Sequence, residues 1–196
     1  YREALAQPEI VALSLGTRPD CLPDEMLAML RRLREESGKD IWIELGLQSI
    51  HEATAERIHR GYPLAVFDDA YHRLKAADFT VIVHVILGFP WESEDDMLAT
   101  IRYLSALEPT LDGIKLQLLH VLRGTELGRM YEAEPFRTLT LDEYCTLVVQ
   151  CLRLLPPDTV IHRITGDGPK RLLLAPLWSA DKKKVLNALN HAIYEA

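Results

Sequence analysis

Several features that would assign a chain to a class at once are missing from this sequence of 196 residues. No apolar run reaches the roughly 20 residues that a membrane-spanning helix needs. Only three cysteines occur, Cys21, Cys145 and Cys151, and their scattered spacing predicts reduced thiols in a cytoplasmic protein rather than a disulfide framework. The formal net charge of -7 argues against a broad phosphate-binding surface.

Familiar ligand-binding motifs are also absent. The glycine-rich stretch HRITGDGPKRLL (162–173) contains neither GxxxxGK[ST] nor GxGxxG. We expect an ordinary loop there before the last helix, and a turn that directs backbone N–H groups toward an anion is the alternative. The histidines form no HxH pair and no HExxH motif. His84, His120 and His162 lie in separate predicted strands, so a metal site made by them with Glu44 is not expected.

The chain does contain a regular alternation of short apolar runs and longer amphipathic stretches. This rhythm predicts parallel strands joined by helical crossovers, hence an α/β fold. Helix ends are marked by Pro23 and Gly38, by Ser93, and by the capping-box pair Thr140 and Glu143. The predicted strands are 9–16, 41–48, 80–88, 113–121 and 159–165, and the predicted helices are 23–37, 64–79, 93–109, 140–157 and 179–196.

Each predicted strand has one aliphatic face and one small or polar face. In IWIELGLQ (41–48), Ile41, Ile43, Leu45 and Leu47 alternate with Trp42, Glu44, Gly46 and Gln48. A doubly wound sheet, covered by helices on both sides, would be apolar on both faces. The pattern therefore favours a sheet curved around an open lumen. Val11, Leu13 and Leu15 are expected on the aliphatic face of the first strand, and Val160 and Ile164 flank His162 in the last.

Polar side chains on the inner face need partners, because an unpaired buried polar group costs about 1–3 kcal/mol. Glu44, Gln48, His84 and Lys115 should therefore meet each other, water or a ligand. Lys115 could form a Schiff base, as in a barrel lyase, although an ion pair with Glu44 or another acid is the simpler interpretation. Arg18 in GTRPD (16–20) could bind a carboxylate or phosphate, and a helix cap built around Asp20 is the alternative.

Five stretches in succession resemble motifs of the radical S-adenosylmethionine (SAM) superfamily. They are LSLGTRPD, IELGLQS, HVILGFPWE, GIKLQLLHVLRGTEL and VIHRITGDGP. The resemblance is to an uncharacterised bacterial Fe–S oxidoreductase branch, related to oxygen-independent coproporphyrinogen oxidase and to Elp3-type proteins. It implies a partial (β/α) barrel that binds SAM and a [4Fe–4S] cluster. The reduced cluster would cleave SAM to a 5′-deoxyadenosyl radical that abstracts hydrogen from a substrate.

The resemblance also implies roles for individual residues. Gln48 and Arg60 would contact the ribose and carboxylate regions of SAM. His84 stands where relatives often have aspartate, and Gly16 replaces a glutamate common in relatives, a function that Glu44 could take over. The implied SAM-binding set is Ser14, Glu44, Gln48, Arg60, His84, Ile86 and Gly88. The candidates on the substrate side are Arg18, Lys115, Gln117, His162 and Arg163.

One motif of the superfamily is missing, the CxxxCxxC whose three thiolates hold the cluster. We therefore expect this chain to be a fragment without the N-terminal strands, with the cluster ligands upstream of Tyr1. On this view residues 1–196 form a single domain, residues 140–196 close or extend the barrel, and the chain alone is inactive. Expected partners are a small-molecule or tRNA substrate and an electron donor such as flavodoxin or ferredoxin. A lyase using Lys115 and a non-catalytic SAM-binding scaffold remain alternatives.

Overall fold

The computed structural model of the chain describes residues 1–166 and 168–195. Within these residues, strands and helices alternate as the sequence predicts. The strands are β1 (Ala12–Thr17), β2 (Asp40–Gln48), β3 (Thr80–Leu87), β4 (Gly113–Leu118), β5 (Val121–Leu122), β6 (Val160–Arg163) and β7 (Leu173–Ala175). The helices are α1 (Arg2–Leu5), α2 (Asp24–Ser37), α3 (Glu52–Arg57), α4 (Leu64–Ala76), α5 (Glu94–Ser105), α6 (Glu126–Ala133), α7 (Leu141–Leu154) and α8 (Lys182–Tyr194).

Five of the strands form a parallel sheet in the order β1-β2-β3-β4-β6. Ser14 of β1 pairs with Trp42 of β2, and Ile43 of β2 pairs with Val81 of β3. The α/β class is confirmed, and the parallel sheet is consistent with the predicted partial barrel. The short strands β5 and β7 form a separate antiparallel pair.

The two faces of β2 differ as the alternation predicts. Ile41, Ile43, Leu45 and Leu47 are buried, whereas Trp42, Glu44, Gly46 and Gln48 are half-buried. Burial of each aliphatic side chain contributes about 1.5–3 kcal/mol, so the aliphatic face fixes which side of the strand the polar residues occupy. In β3, Val81, Val83, Val85 and Leu87 are likewise buried.

Helix ends follow the sequence signals closely. α2 ends at Gly38, whose φ of 64° suits a residue without a side chain. The side chain of Ser93 accepts a hydrogen bond from the backbone N–H of Asp96 at the start of α5. Thr140 and Glu143 form the predicted capping box of α7.

By its internal contacts the chain divides into two compact units. The first comprises Tyr1–Val85, Leu107–Lys115 and Asp158–His162, and the second comprises Ile86–Ala106, Leu116–Pro157 and Arg163–Ala196. The first contains β1, β2 and α2 to α4. The second contains α5 to α8, with α7 packed against both α5 and α8. The single domain over residues 1–196 stays a prediction. Across the described ranges, no helix is both long and apolar enough to span a bilayer.

Several sequence predictions were wrong in detail at the ends and edges of the sheet. Val11 was expected on the aliphatic face, but it precedes β1 and is 81% exposed. Val160 is also exposed, because β6 is an edge strand with a neighbour on one side only. The predicted strand 113–121 ends at Leu118. In the stretch predicted as a loop, residues 162 and 163 belong to β6 and β7 begins at Leu173, while residue 167 lies outside the described residues.

Candidate functional site

Side chains from four strands meet at Glu44, in the middle of β2. Oε1 of Glu44 accepts a hydrogen bond from Oγ of Ser14 at 2.7 Å, and Oε2 lies 2.8 Å from Nε2 of His84. Nζ of Lys115 donates to the same Oε2 at 2.5 Å. The strands are parallel neighbours and the residues share one parity, so their side chains project from one face. The predicted pairing of Lys115 with Glu44 is thus present.

The electrostatics of this cluster favour an ionised carboxylate. Burial raises the pKa of the Glu44 carboxyl, but hydrogen bonds from Lys115, Ser14 and His84 outweigh burial and lower the pKa to about 2. Because a carboxylate can only accept, the imidazole proton shared with Glu44 belongs to Nε2 of His84. The cluster thus combines a fixed negative charge with three hydrogen-bond donors.

An aromatic pair lies next to this cluster in the first unit. The rings of Trp42 and His162 meet edge-on, with centroids 5.8 Å apart. Burial lowers the pKa of His162, and the charge of Lys115 lowers it further. A side chain at Gly113 would place its Cβ 2.8 Å from Cδ2 of His162, so the exposed ring would have to move to make room for it.

The C-terminal end of β2 carries Gln48 in an unusual backbone conformation. Its φ is 69°, in the left-handed region that non-glycine residues rarely adopt. Arg60 is 6% exposed, and Nη1 of its guanidinium donates to the carbonyl oxygens of Leu47 and Ser49 on either side of Gln48. The structure therefore places Arg60 against the backbone that carries Gln48. Contact of either side chain with SAM stays a prediction.

Arg18 is engaged with a neighbouring acid. Its Nε and Nη2 atoms donate to the two carboxylate oxygens of Asp20 at 2.9 and 2.6 Å. Asp20 caps no helix with its side chain, so the cap suggested as the alternative is not formed. The guanidinium also lies over the ring of Tyr62, 5.3 Å from the centroid. Binding of an anion by Arg18 would require it to share or leave Asp20.

The remaining predicted site residues belong to the second unit. Gly88 is buried with a φ of 99°, and its N–H donates to the sulfur of Met97 at 3.0 Å. Ile86 and Gln117 are half-buried and Arg163 is exposed. Their assigned roles stay predictions.

Three residues of the first unit were not predicted as site residues. Trp42 shares the parity of Glu44, so the alternation alone could have identified it. Gly113 opens β4, where a glycine signals close approach of another group. Tyr62 donates its hydroxyl to the carbonyl of Gly46 at 2.8 Å, a contact across 16 residues for which the sequence holds no periodic signal.

The described residues do not fit an iron–sulfur cluster. Cys21 is exposed, and Cys145 and Cys151 are buried in α7, where burial raises the pKa of Cys151 to about 12. A cluster needs ionised thiolates that converge on one point. Across residues 1–166 and 168–195, no group of three or more His, Cys, Asp or Glu side chains could hold a metal ion.

The chain matches two families over almost its whole length. Residues 2–104 match the radical SAM superfamily, and residues 111–195 match the radical SAM C-terminal domain. The protein YtqA of Bacillus subtilis, which is uncharacterised, is 39% identical over 190 residues, or 97% of this chain and 58% of YtqA. YhcC of Escherichia coli is 35% identical over 93% of this chain and 58% of its own length. The chain thus spans somewhat more than half the length of these relatives.

A more distant likeness extends to Elongator complex protein 3. The mouse protein is 28% identical over 83% of this chain and 29% of its own length. The solved structure of Elp3 from Methanocaldococcus infernus, with an N-terminal deletion, superposes with a TM-score of 0.75 at 23% identity. It covers 89% of this chain and 42% of the Elp3 chain. At that identity the superposition shows that the two share a fold.

Proposed function

Because this chain belongs to the radical SAM superfamily, we propose that it forms a SAM-binding part of a radical SAM oxidoreductase. The polar face around Glu44 carries the proposal. If this face were packed inside a closed core, its side chains would be fully buried and no ligand could reach their hydrogen bonds. Here the side chains of Glu44, His84 and Lys115 keep 15–22% of their surface exposed, so they can exchange contacts with a ligand.

The chemistry of SAM matches the groups on this face. SAM presents ribose hydroxyls, an ammonium and a carboxylate, which need both acceptors and donors. A carboxylate can accept about four hydrogen bonds, two on each oxygen. Oε1 of Glu44 accepts one from Ser14, and Oε2 accepts two, from His84 and Lys115. Oε1 can accept a second hydrogen bond from a ribose hydroxyl or the ammonium. Ser14, Glu44, Gln48 and His84 are the residues of the first unit that we assign to this contact.

In the superfamily, bound SAM is the source of the 5′-deoxyadenosyl radical that abstracts hydrogen from a substrate. The described residues of this chain do not provide thiolates for the cluster that supplies the electron, so no step through a cluster is assigned to them. The part of this chain is to bind the nucleoside on the polar face of β2 and β3. The hydrogen bond to the ionised Glu44 orients the imidazole ring of His84 on this face.

The test uses the full-length gene product, purified anaerobically and reduced with dithionite in the presence of SAM. We expect release of 5′-deoxyadenosine, measured by mass spectrometry, and at least about tenfold less from Glu44→Gln. Glu56→Gln, a charge removal at an exposed position of α3, is the matched control. Failure to bind SAM would contradict the proposal. Binding without release of 5′-deoxyadenosine would favour the non-catalytic scaffold.

A lyase that uses Lys115 is the second candidate. A Schiff-base lysine must present a free amine to a carbonyl, whereas Nζ of Lys115 is bound to Glu44 at 2.5 Å. The amine would first have to leave this hydrogen bond. Borohydride trapping of a substrate adduct on Lys115 would favour the lyase.

A further inference from the structure

Gln48 is the central residue of a tight three-residue turn at the end of β2. The N–H of Ser49 donates to the carbonyl of Leu47 at 2.9 Å, and the φ of Gln48 is 69°. This combination is the classic γ-turn, which is rare and strained for a residue with a side chain. The register between β2 and β3 shifts at the same place, between Gly46 and Gln48. Such a turn persists only where the surrounding structure holds it.

The guanidinium of Arg60 is placed to hold this turn. Its Nη1 atom donates to the carbonyl of Leu47 at 3.3 Å and to that of Ser49 at 2.7 Å. Its Nε atom donates to the carbonyl of Tyr62 at 2.9 Å, and Nη2 lies 3.4 Å from a carboxylate oxygen of Glu52. The hydrogen bonds to Ser49 and Tyr62 have the short distances of charge-assisted bonds, and the contacts with Leu47 and Glu52 are longer. The planar fork of arginine thus ties the two carbonyls beside Gln48 to the segment after α3.

We call the hydrogen bonds of Arg60 to the carbonyls of Leu47 and Ser49 the clamp. Tyr62 adds one more carbonyl to it. Its hydroxyl donates to the carbonyl of Gly46 at 2.8 Å, and Cζ of Arg60 lies 4.9 Å from the centre of its ring. Arg60 and Tyr62 therefore bind the carbonyls of three residues around Gln48, namely Gly46, Leu47 and Ser49. These hydrogen bonds constrain the backbone of Gln48 from both sides.

The clamp also fixes the direction of the Gln48 side chain. A Cβ placed on Gly46 would lie 2.9 Å from Nε2 of Gln48, so the carboxamide folds across the space that a side chain at position 46 would fill. Gly46 shares the parity of Glu44 and therefore the polar face of β2. The left-handed turn thus directs the amide of Gln48 along this face.

We propose that Arg60 is a positioning residue that acts on SAM binding through Gln48, rather than a direct SAM contact. The inference rests on the proposed function for the role of Gln48, and on the geometry alone for the clamp. It reassigns Arg60 from a ligand contact to a support of the turn. Tyr62 takes part in the same task.

A double-mutant cycle separates action through Gln48 from direct contact. SAM affinity is measured by calorimetry for the wild-type chain, Arg60→Gln, Gln48→Gly and the double variant. Glycine at position 48 removes the amide but adopts the left-handed turn without strain. We expect Arg60→Gln to weaken binding about tenfold in the wild-type background and less than about twofold in the Gln48→Gly background. An equal loss in both backgrounds would overturn the proposal.

Hydrogen exchange at the Ser49 amide tests the clamp with no ligand present. We expect faster exchange in Arg60→Gln than in the wild type, and recovery towards the wild-type rate when Gln48→Gly is added. Unchanged exchange in Arg60→Gln would overturn the clamp. Because this measurement needs no SAM, a wild-type chain that fails to bind SAM would count against the proposed function and leave the clamp still testable.

Two further variants control for folding. Arg32→Gln removes the same charge from an exposed position of α2, and we expect its exchange at Ser49 and its SAM affinity to match the wild type. If thermal melting shows that Arg60→Gln does not fold, Tyr62→Phe replaces it, since it removes a single hydrogen bond to Gly46. Tyr62→Phe should speed exchange at Ser49 in the same direction, and unchanged exchange would overturn the clamp.

Discussion

Nζ of Lys115 lies 2.5 Å from Oε2 of Glu44, although 71 residues separate them in the chain. Their side chains are 15% and 18% exposed. At this burial an ion pair is only partly screened by water, and each member depends on the other for its charge to be compensated. The pair joins β2 to β4 at the centre of the polar sheet face.

The first prediction concerns the removal of the Glu44 charge. Glu44→Gln leaves the ammonium of Lys115 without its counter-charge in a half-buried position, so we expect a loss of about 1–3 kcal/mol in the free energy of unfolding. Urea denaturation followed by circular dichroism measures it. Glu36→Gln breaks the exposed pair with Arg2 and should cost less than about 0.5 kcal/mol. Equal losses of unfolding free energy in the two variants would show that the half-buried pair of Glu44 and Lys115 stabilises the fold no more than an exposed pair does, and would contradict the prediction.

The second prediction concerns pH. The pKa of Glu44 in the folded chain, about 2, lies below its ordinary value of 4.5. A carboxyl with a lowered folded-state pKa contributes stability above its unfolded pKa, and that stability is lost as the pH falls through the folded pKa. The stability advantage of the wild type over Glu44→Gln should therefore be complete above about pH 5 and shrink from about pH 4.5 towards about pH 2. Urea titrations at several pH values measure this advantage. If the stability difference between the wild type and Glu44→Gln stayed constant across this pH range, the lowered pKa of Glu44 would be contradicted.

The third prediction concerns the space that Gly113 leaves for His162. A methyl group at position 113 would lie 2.8 Å from the imidazole, so Gly113→Ala must displace the ring or the strand. The exposed ring can turn aside, but the carbonyl oxygen of Val160 lies 3.2 Å from the added carbon, so we expect a loss of about 0.5–2 kcal/mol in the free energy of unfolding, measured by urea denaturation. Gly16→Ala is the matched control, because no heavy atom lies within 4 Å of the added carbon. Its free energy of unfolding should stay within about 0.5 kcal/mol of the wild type.

Regular features of the fold were predictable because they repeat along the chain. The alternation in IWIELGLQ predicts which side chains of β2 are buried, and the structure confirms it. The same alternation brought Glu44, His84 and Lys115 to one face. Short-range signals also sufficed for the helix caps at Ser93 and Thr140, since a capping residue and its partner lie three positions apart.

Features that depend on distant neighbours were not predictable from periodicity. Val11 and Val160 look like core residues, but the first precedes an edge strand and the second lies in one, so they have too few neighbours to bury them. The turn at Gln48 carries no local marker, because a glycine would be the usual sign of a positive φ. Its partner Arg60, which donates to the carbonyls on either side of it, lies twelve positions later in the chain.

Whether the polar face of β2 and β3 binds SAM is tested most simply by titrating the ¹⁵N-labelled chain with SAM, followed by NMR. We expect saturable shifts at the backbone amides of Gly46 and Gln48 and at the ring of His84, and loss of these shifts in Glu44→Gln. Absence of saturable binding, or shifts confined to residues away from this face of β2 and β3, would contradict the proposal.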